Sequence, residues 1–199
     1  MTTGFEHAAV LALHWQVNVI KPDGFFGGML AEPVARSGVV GRAVRFHEWA
    51  AGMSIPVYFT RFTIPEGEGR LVRNTAFMAA VGQAQDRFRP DTAGTQLIPE
   101  MAHLAKPDQV ADNQKLSGLA GNDLAARLGD AGITTLFVTG VATNLTVEQT
   151  ARHATDLGFV VHPVSDCVAA ADQSVHLASL ANLELATAGC RTAGEIAAA

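Results

Sequence analysis

The sequence is short of cysteine, of charge and of long apolar runs, and each shortage closes off a class of protein. Two cysteines in 199 residues, Cys167 and Cys190, cannot make a disulfide framework, and they stand too far apart for a zinc pattern. Charged residues make up only 17% against 48% hydrophobic, so the signature of intrinsic disorder is missing. No block of five like charges occurs, and 14 basic against 19 acidic residues leave a net charge of −5. Nucleic-acid binding leaves a basic footprint; none is present, so no such partner is expected. No uninterrupted apolar run is longer than Ala8–Leu13, far short of the ~18 residues that read as a membrane span. The opening Met1-Thr2-Thr3-Gly4-Phe5-Glu6 has no basic stretch, so no secretory signal is expected. Without one, the sequon Asn144-Leu145-Thr146 carries no weight. These readings point to a cytoplasmic globular protein with no membrane partner, and the length argues for one domain over residues 1–199.

What is present is an alternation of apolar blocks and helical patterns. Ala8–His14 suits a strand buried on both faces. Val40, Val44, His47 and Ala51 recur at helical spacing before Gly52, and Ile55–Thr60 reads as a second strand. Asn122 is a plausible cap for a helix over Asp123–Ala131 that stops at Gly132. Ile133–Thr139 is a strand rich in β-branched residues, and Val147, Ala151 and Ala154 mark the next helix. Phe159–Val164 is a strand, Asp172 opens a helix whose Leu177, Leu180 and Leu183 face inward, and Cys190–Thr192 offers a short last strand. Such alternation argues for an α/β fold with a parallel sheet covered by helices on both faces. The stretch Phe62–Asp108 is too long for a bare loop. Phe77, Val81, Ala84 and Phe88 predict a helix within it, and the rest is a candidate lid or subunit contact.

In doubly wound, Rossmann-like sheets, ligands bind beyond the C-terminal strand ends, which directs attention to His14, the region after Val110 and the turn Gly140–Thr146. That turn reads GVATNLTVEQTARHATDLGF and is followed by Val164-Ser165-Asp166. It resembles the isochorismatase-like cysteine hydrolase superfamily, which includes nicotinamidases. Gly94-Thr95, Ile98-Pro99-Glu100, Ser117–Leu124 and the first strand Leu11–Gln16 add to the likeness, which covers roughly residues 8–193. The resemblance implies a six-stranded parallel sheet in the order 3-2-1-4-5-6 and a homodimer or higher homo-oligomer. The family's hydrolases use an aspartate, a lysine and a cysteine nucleophile. Laid on this chain, those positions hold His14, Asn113 and Thr146, a degenerate triad. A threonine hydroxyl is far less nucleophilic than a thiolate at neutral pH, so cysteine-amidase chemistry is not expected. The metal-binding nicotinamidases carry an Asp-x-His cluster where this chain has Arg61-Phe62-Thr63, so the resemblance implies no metal or cofactor here.

Two readings of the site remain open. In one, a divergent hydrolase uses His14 as acid or base without cysteine chemistry. In the other, the cleft is non-catalytic and serves a small molecule or a partner protein. Under either, the ligand expected is a small polar or anionic molecule against Val141, Ala142 and Thr143, where backbone N–H groups open a helix. Gln16 is a further candidate contact. Lys115, two residues beyond Asn113, would share its face if the strand continued, and its long side chain would then reach the pocket. Phe25 and Phe26 sit in a Gly-rich turn, where exposed rings would cap a pocket or an interface. The bland readings stand beside these: His14 as a packed histidine, Thr146 as a helix first-turn residue, and Cys167 and Cys190 as inert buried thiols.

Overall fold

The computed structural model describes residues 4–199; Met1–Thr3, part of the opening read above for a secretory signal, lie outside the described residues. In chain order the elements are β1 (Ala8–Leu13), α1 (Val17–Ile20), α2 (Gly27–Ser37), α3 (Val39–Gly52), β2 (Val57–Phe62), α4 (Ala76–Gln83) and α5 (Pro99–Ala102). There follow β3 (Val110–Asn113), α6 (Leu124–Asp130), β4 (Thr135–Val141), α7 (Glu148–Asp156), β5 (Val160–Ala169), α8 (Gln173–Ala186) and α9 (Ala193–Ala197). All strand pairings are parallel, in the order β3-β2-β1-β4-β5, with β1 in the centre. Every residue of β1 is buried, which is why its sequence is a continuous apolar run rather than an alternation.

Successive residues of β1 point to opposite faces and enter different cores. Val10 and Ala12 join Phe46, Ala50 and Ile196 on the side of α3 and α9. Leu11 and Leu13 join Leu124, Leu128, Ala151 and Leu183 on the side of α6, α7 and α8. A third, smaller cluster of Phe62, Ile64, Met78, Val81 and Phe88 holds α4 beyond the strand ends. The long stretch after β2 is therefore structured, as its helical spacing predicted. Asn18 anchors it: its side-chain amide donates to the Arg87 carbonyl at 2.7 Å, and its oxygen accepts from the Phe25 N–H at 3.2 Å.

Two expectations need correction. Among the described residues the sheet has five strands, not six: Arg191 makes one isolated parallel bridge to Val164. The chain has no room for more, because Gly189 turns it with φ +92° and Thr192 already caps α9 in a reciprocal box with Glu195. On α8, Leu183 is buried but Leu177 is 55% exposed, so the predicted inward face is narrower than its leucines suggested. Among the described residues no helix is long and apolar enough to cross a membrane.

Candidate functional site

The site forms where β1 and β4 run out side by side. His14 follows β1 in the left-handed region, with φ +52°, and its N–H still bonds the Thr60 carbonyl of β2 at 3.1 Å. That departure from extended backbone lets the ring reach across the end of β2 to Asn113, the last residue of β3. His14 Nε2 lies 3.4 Å from Asn113 Oδ1. The Asn113 amide donates to the carbonyls of Lys115 at 2.9 Å and Ser117 at 2.7 Å, so its oxygen is the end facing the histidine. An oxygen only accepts, so Nε2 carries the proton and Nδ1 keeps its lone pair. Burial drives the His14 pKa down to about 4, against a smaller upward pull from the Asn113 bond. The imidazole is neutral near pH 7.

Thr146 sits in a π-helical turn, Thr143–Val147, between β4 and α7. Its hydroxyl donates to the Leu116 carbonyl at 2.8 Å. The proton is held by a peptide oxygen rather than a base, so nothing among its bonded partners activates the oxygen as a nucleophile. The N–H groups of Leu145 and Val147 both bond the Ala142 carbonyl at 3.2 Å, so neither is free to face a ligand.

His14 and Thr146 line one small cavity of about 50 Å³. Its other walls are apolar: Val19, Phe26, Met29, Leu30, Phe62, Phe77, Val81, Phe88, Leu116, Val141, Ala142 and Leu145. Four of the lining residues are phenylalanines drawn from separate segments. Phe26 and Phe77 stack at 5.7 Å and 11°, and Phe62 meets Phe88 edge-on at 5.5 Å. The sequence marked Phe26 as a candidate pocket cap and Phe77 and Phe88 as helix positions, but nothing in their spacing showed that they would meet around His14.

The remaining candidates divide. Val141 and Ala142 line the cavity, whereas Gln16, Lys115 and Thr143 do not. Gln16 is spent on backbone: its amide donates to the Phe62 and Thr95 carbonyls at 3.1 and 2.8 Å, and its oxygen accepts from the Phe62 N–H at 2.7 Å. Lys115 lies past the end of β3, so the same-face argument fails, and its stem runs beside Gly121. The Thr143 hydroxyl bonds His176 Nδ1 at 2.8 Å. The lining brings no cation to an anion, only a neutral histidine. Phe25 and Phe26 pack against Phe88 instead of standing open as an interface.

Behind the cavity a buried chain was missed in the sequence. His47 Nε2 and Trp15 Nε1 meet the Thr139 hydroxyl at 2.9 and 3.3 Å, and His47 Nδ1 is buried without a partner. Burial takes the His47 pKa down to about 3. Both thiols lie outside the cavity, and burial raises Cys167 to about 12 and Cys190 to about 11, so they stay protonated. Among the described residues no group of three or more His, Cys, Asp or Glu gathers to hold a metal.

Residues 8–195 match the isochorismatase domain family. The chain belongs to the isochorismatase family. It is 30% identical over 133 residues to a protein of Arabidopsis thaliana named nicotinamidase 3, a match that covers 65% of this chain and 63% of that one. The chain thus spans less than two thirds of that relative's length. Among solved structures, a cysteine hydrolase from Pseudomonas syringae superposes with a TM-score of 0.82 at 19% identity, covering 100% of this chain and 97% of the other. That likeness concerns the fold alone. An isochorismatase family protein from Burkholderia thailandensis gives a TM-score of 0.71 at 25% identity, over 98% and 96% of the two chains.

Proposed function

We propose that this member of the isochorismatase family does not run cysteine-amidase chemistry and instead holds a compact, uncharged, mainly apolar molecule in the cavity beside His14. The observation that carries the reading is the lining itself. It offers one neutral imidazole and one hydroxyl within a wall of hydrocarbon, which suits a ligand with a single hydrogen-bonding group. Three supports come from chemistry. On the family resemblance, His14, Asn113 and Thr146 take the places of aspartate, lysine and cysteine; the two thiols lie elsewhere, and the Thr146 proton is committed to Leu116. An anion placed here would be desolvated with no countercharge, at a cost of several kcal/mol.

One observation favours an enzymatic second reading. His14 is held by Asn113 in a single tautomer with Nδ1 bare, the arrangement of a general base that takes a proton from water attacking a carbonyl. Its low basicity weighs against that use at neutral pH. The test is calorimetric titration with phenol and with benzoate, beside an assay for ammonia release from nicotinamide. The binding reading expects heat with phenol, little with benzoate, and no ammonia. Nicotinamide turnover abolished by iodoacetamide, or benzoate binding more tightly than phenol, would overturn it. Turnover insensitive to iodoacetamide but lost in His14→Ala would favour the enzymatic reading.

A further inference from the structure

A second cleft, of about 380 Å³, opens beyond the C-terminal end of β5, among the end of α2, the start of α3 and the start of α8. That size is in the range of small-molecule sites, and the C-terminal strand ends of an α/β sheet are where ligands bind. The cleft shares no lining residue with the cavity beside His14. Its chemistry is the opposite. Arg36, Arg42, Gln173 and His176 line it, and no carboxylate does.

Arg42 is held in a prepared position. Gly38, with φ +66°, joins α2 to α3, and a Cβ there would come within 3.4 Å of Arg42 Nη1. Beside that turn the guanidinium donates from Nε to the Asp166 carbonyl at 2.6 Å and from Nη1 to the Ser37 carbonyl at 2.8 Å. Both partners are neutral peptide oxygens, so the group is fixed without being neutralised. Among the described residues Arg42 enters no ion pair. A half-buried cation in that state favours an incoming anion. Arg36 pairs with Glu32 on the open surface, a bond that contributes little and yields readily. The carboxylates adjacent in sequence to lining residues are already engaged. Asp166 accepts from the Ala193 N–H, and Asp172 from the N–H groups of Ser174 and Val175. Asp172 thereby caps α8, so the cleft's donors are side chains and not a bare helix end. His176 Nδ1 is taken by the Thr143 hydroxyl at 2.8 Å, which leaves Nε2 unclaimed.

We propose that this cleft binds a small phosphate monoester, its dianion shared between Arg36 and Arg42, with Gln173 and His176 as further contacts. Two cations without a lining countercharge match a dianion better than a single carboxylate, and guanidinium forks fit phosphate oxygens.

The experiment is calorimetric titration of the whole chain at constant ionic strength with glycerol 3-phosphate, inorganic phosphate and acetate. Saturable binding with a Kd of about 1 mM or tighter is expected for the ester, with acetate at least tenfold weaker. Inorganic phosphate binding tenfold tighter than the ester would show a site for the free ion and overturn the assignment to a monoester. Arg42→Gln should weaken the ester at least tenfold and Arg36→Gln several-fold. Arg45→Gln removes the same charge from α3 at an exposed position outside the cleft and should leave binding unchanged. Far-UV circular dichroism checks each fold; should Arg42→Gln not fold, Arg36→Gln on the exposed end of α2 decides. No saturation by about 10 mM ester, acetate binding as tightly, or equal losses in Arg36→Gln and Arg45→Gln would overturn the proposal.

Discussion

A histidine placed in an apolar pocket titrates against its surroundings, and His14 and His47 both do so. Their pKa values in the fold are about 4 and about 3, against 6.5 in an open chain. Between those limits the unfolded chain binds protons that the folded one refuses, so stability falls as pH falls. The contribution is complete above pH 6.5 and is lost progressively down to about pH 4 for His14. That shift corresponds to roughly 3 kcal/mol, a large part of a typical domain's net stability. Urea unfolding at a series of pH values should show this slope, and His14→Gln, which keeps an amide donor for Asn113, should flatten part of it. In NMR titration the His14 and His47 ring protons should stay fixed from pH 8 to 5. A midpoint near 6.5 for either ring would mean that it is not buried as described.

At the scale of elements, the pairing of β1 with β4 sets where the site opens, and one glycine permits it. Gly140 pairs with Leu13 and has φ +143°; a Cβ there would lie 2.4 Å from the Leu13 carbonyl oxygen. Gly140→Ala should destabilise the fold by about 3 kcal/mol or more, since backbone strain and overpacking act together. An equilibrium unfolding curve indistinguishable from wild type would show that β4 leaves the sheet differently. Much of this level was legible in the sequence. A continuous apolar run marked β1, a stretch rich in β-branched residues marked β4, and the spacing of Val147, Ala151 and Ala154 marked α7. The position of His14 at the mouth followed from the strand it ends. What was not legible depends on contacts distant in sequence. Gln16 reads as a pocket residue until its amide is seen bridging Phe62 and Thr95. Leu177 has helical spacing that would face a core, yet the side of α8 it occupies has nothing against it.

At the scale of the whole molecule, the cavity is bordered by side chains from segments far apart in the chain. Phe26 enters from the turn before α2 and Phe77 from α4, and their stack spans the gap between the two segments. The cavity, open on one side, offers about 50 Å³, well below the ~150 Å³ of an engineered cavity that takes benzene, so a ring-sized ligand needs rim side chains such as the stacked pair to move. Phe77 is the side chain placed to yield, being 36% exposed at the rim. Parting an aromatic pair costs about 1 kcal/mol, and that cost subtracts from the affinity of any ligand that needs the open form. Phe77→Ala removes the cost and enlarges the space together. It should tighten phenol binding by about tenfold, equivalent to ~1.4 kcal/mol, in the calorimetric titration used for wild type. Benzoate should gain much less, because opening the rim brings no cation to the carboxylate. Equal gains for both probes would mean that the opened cavity is simply wet. No gain for phenol would mean that the Phe26–Phe77 stack does not limit entry.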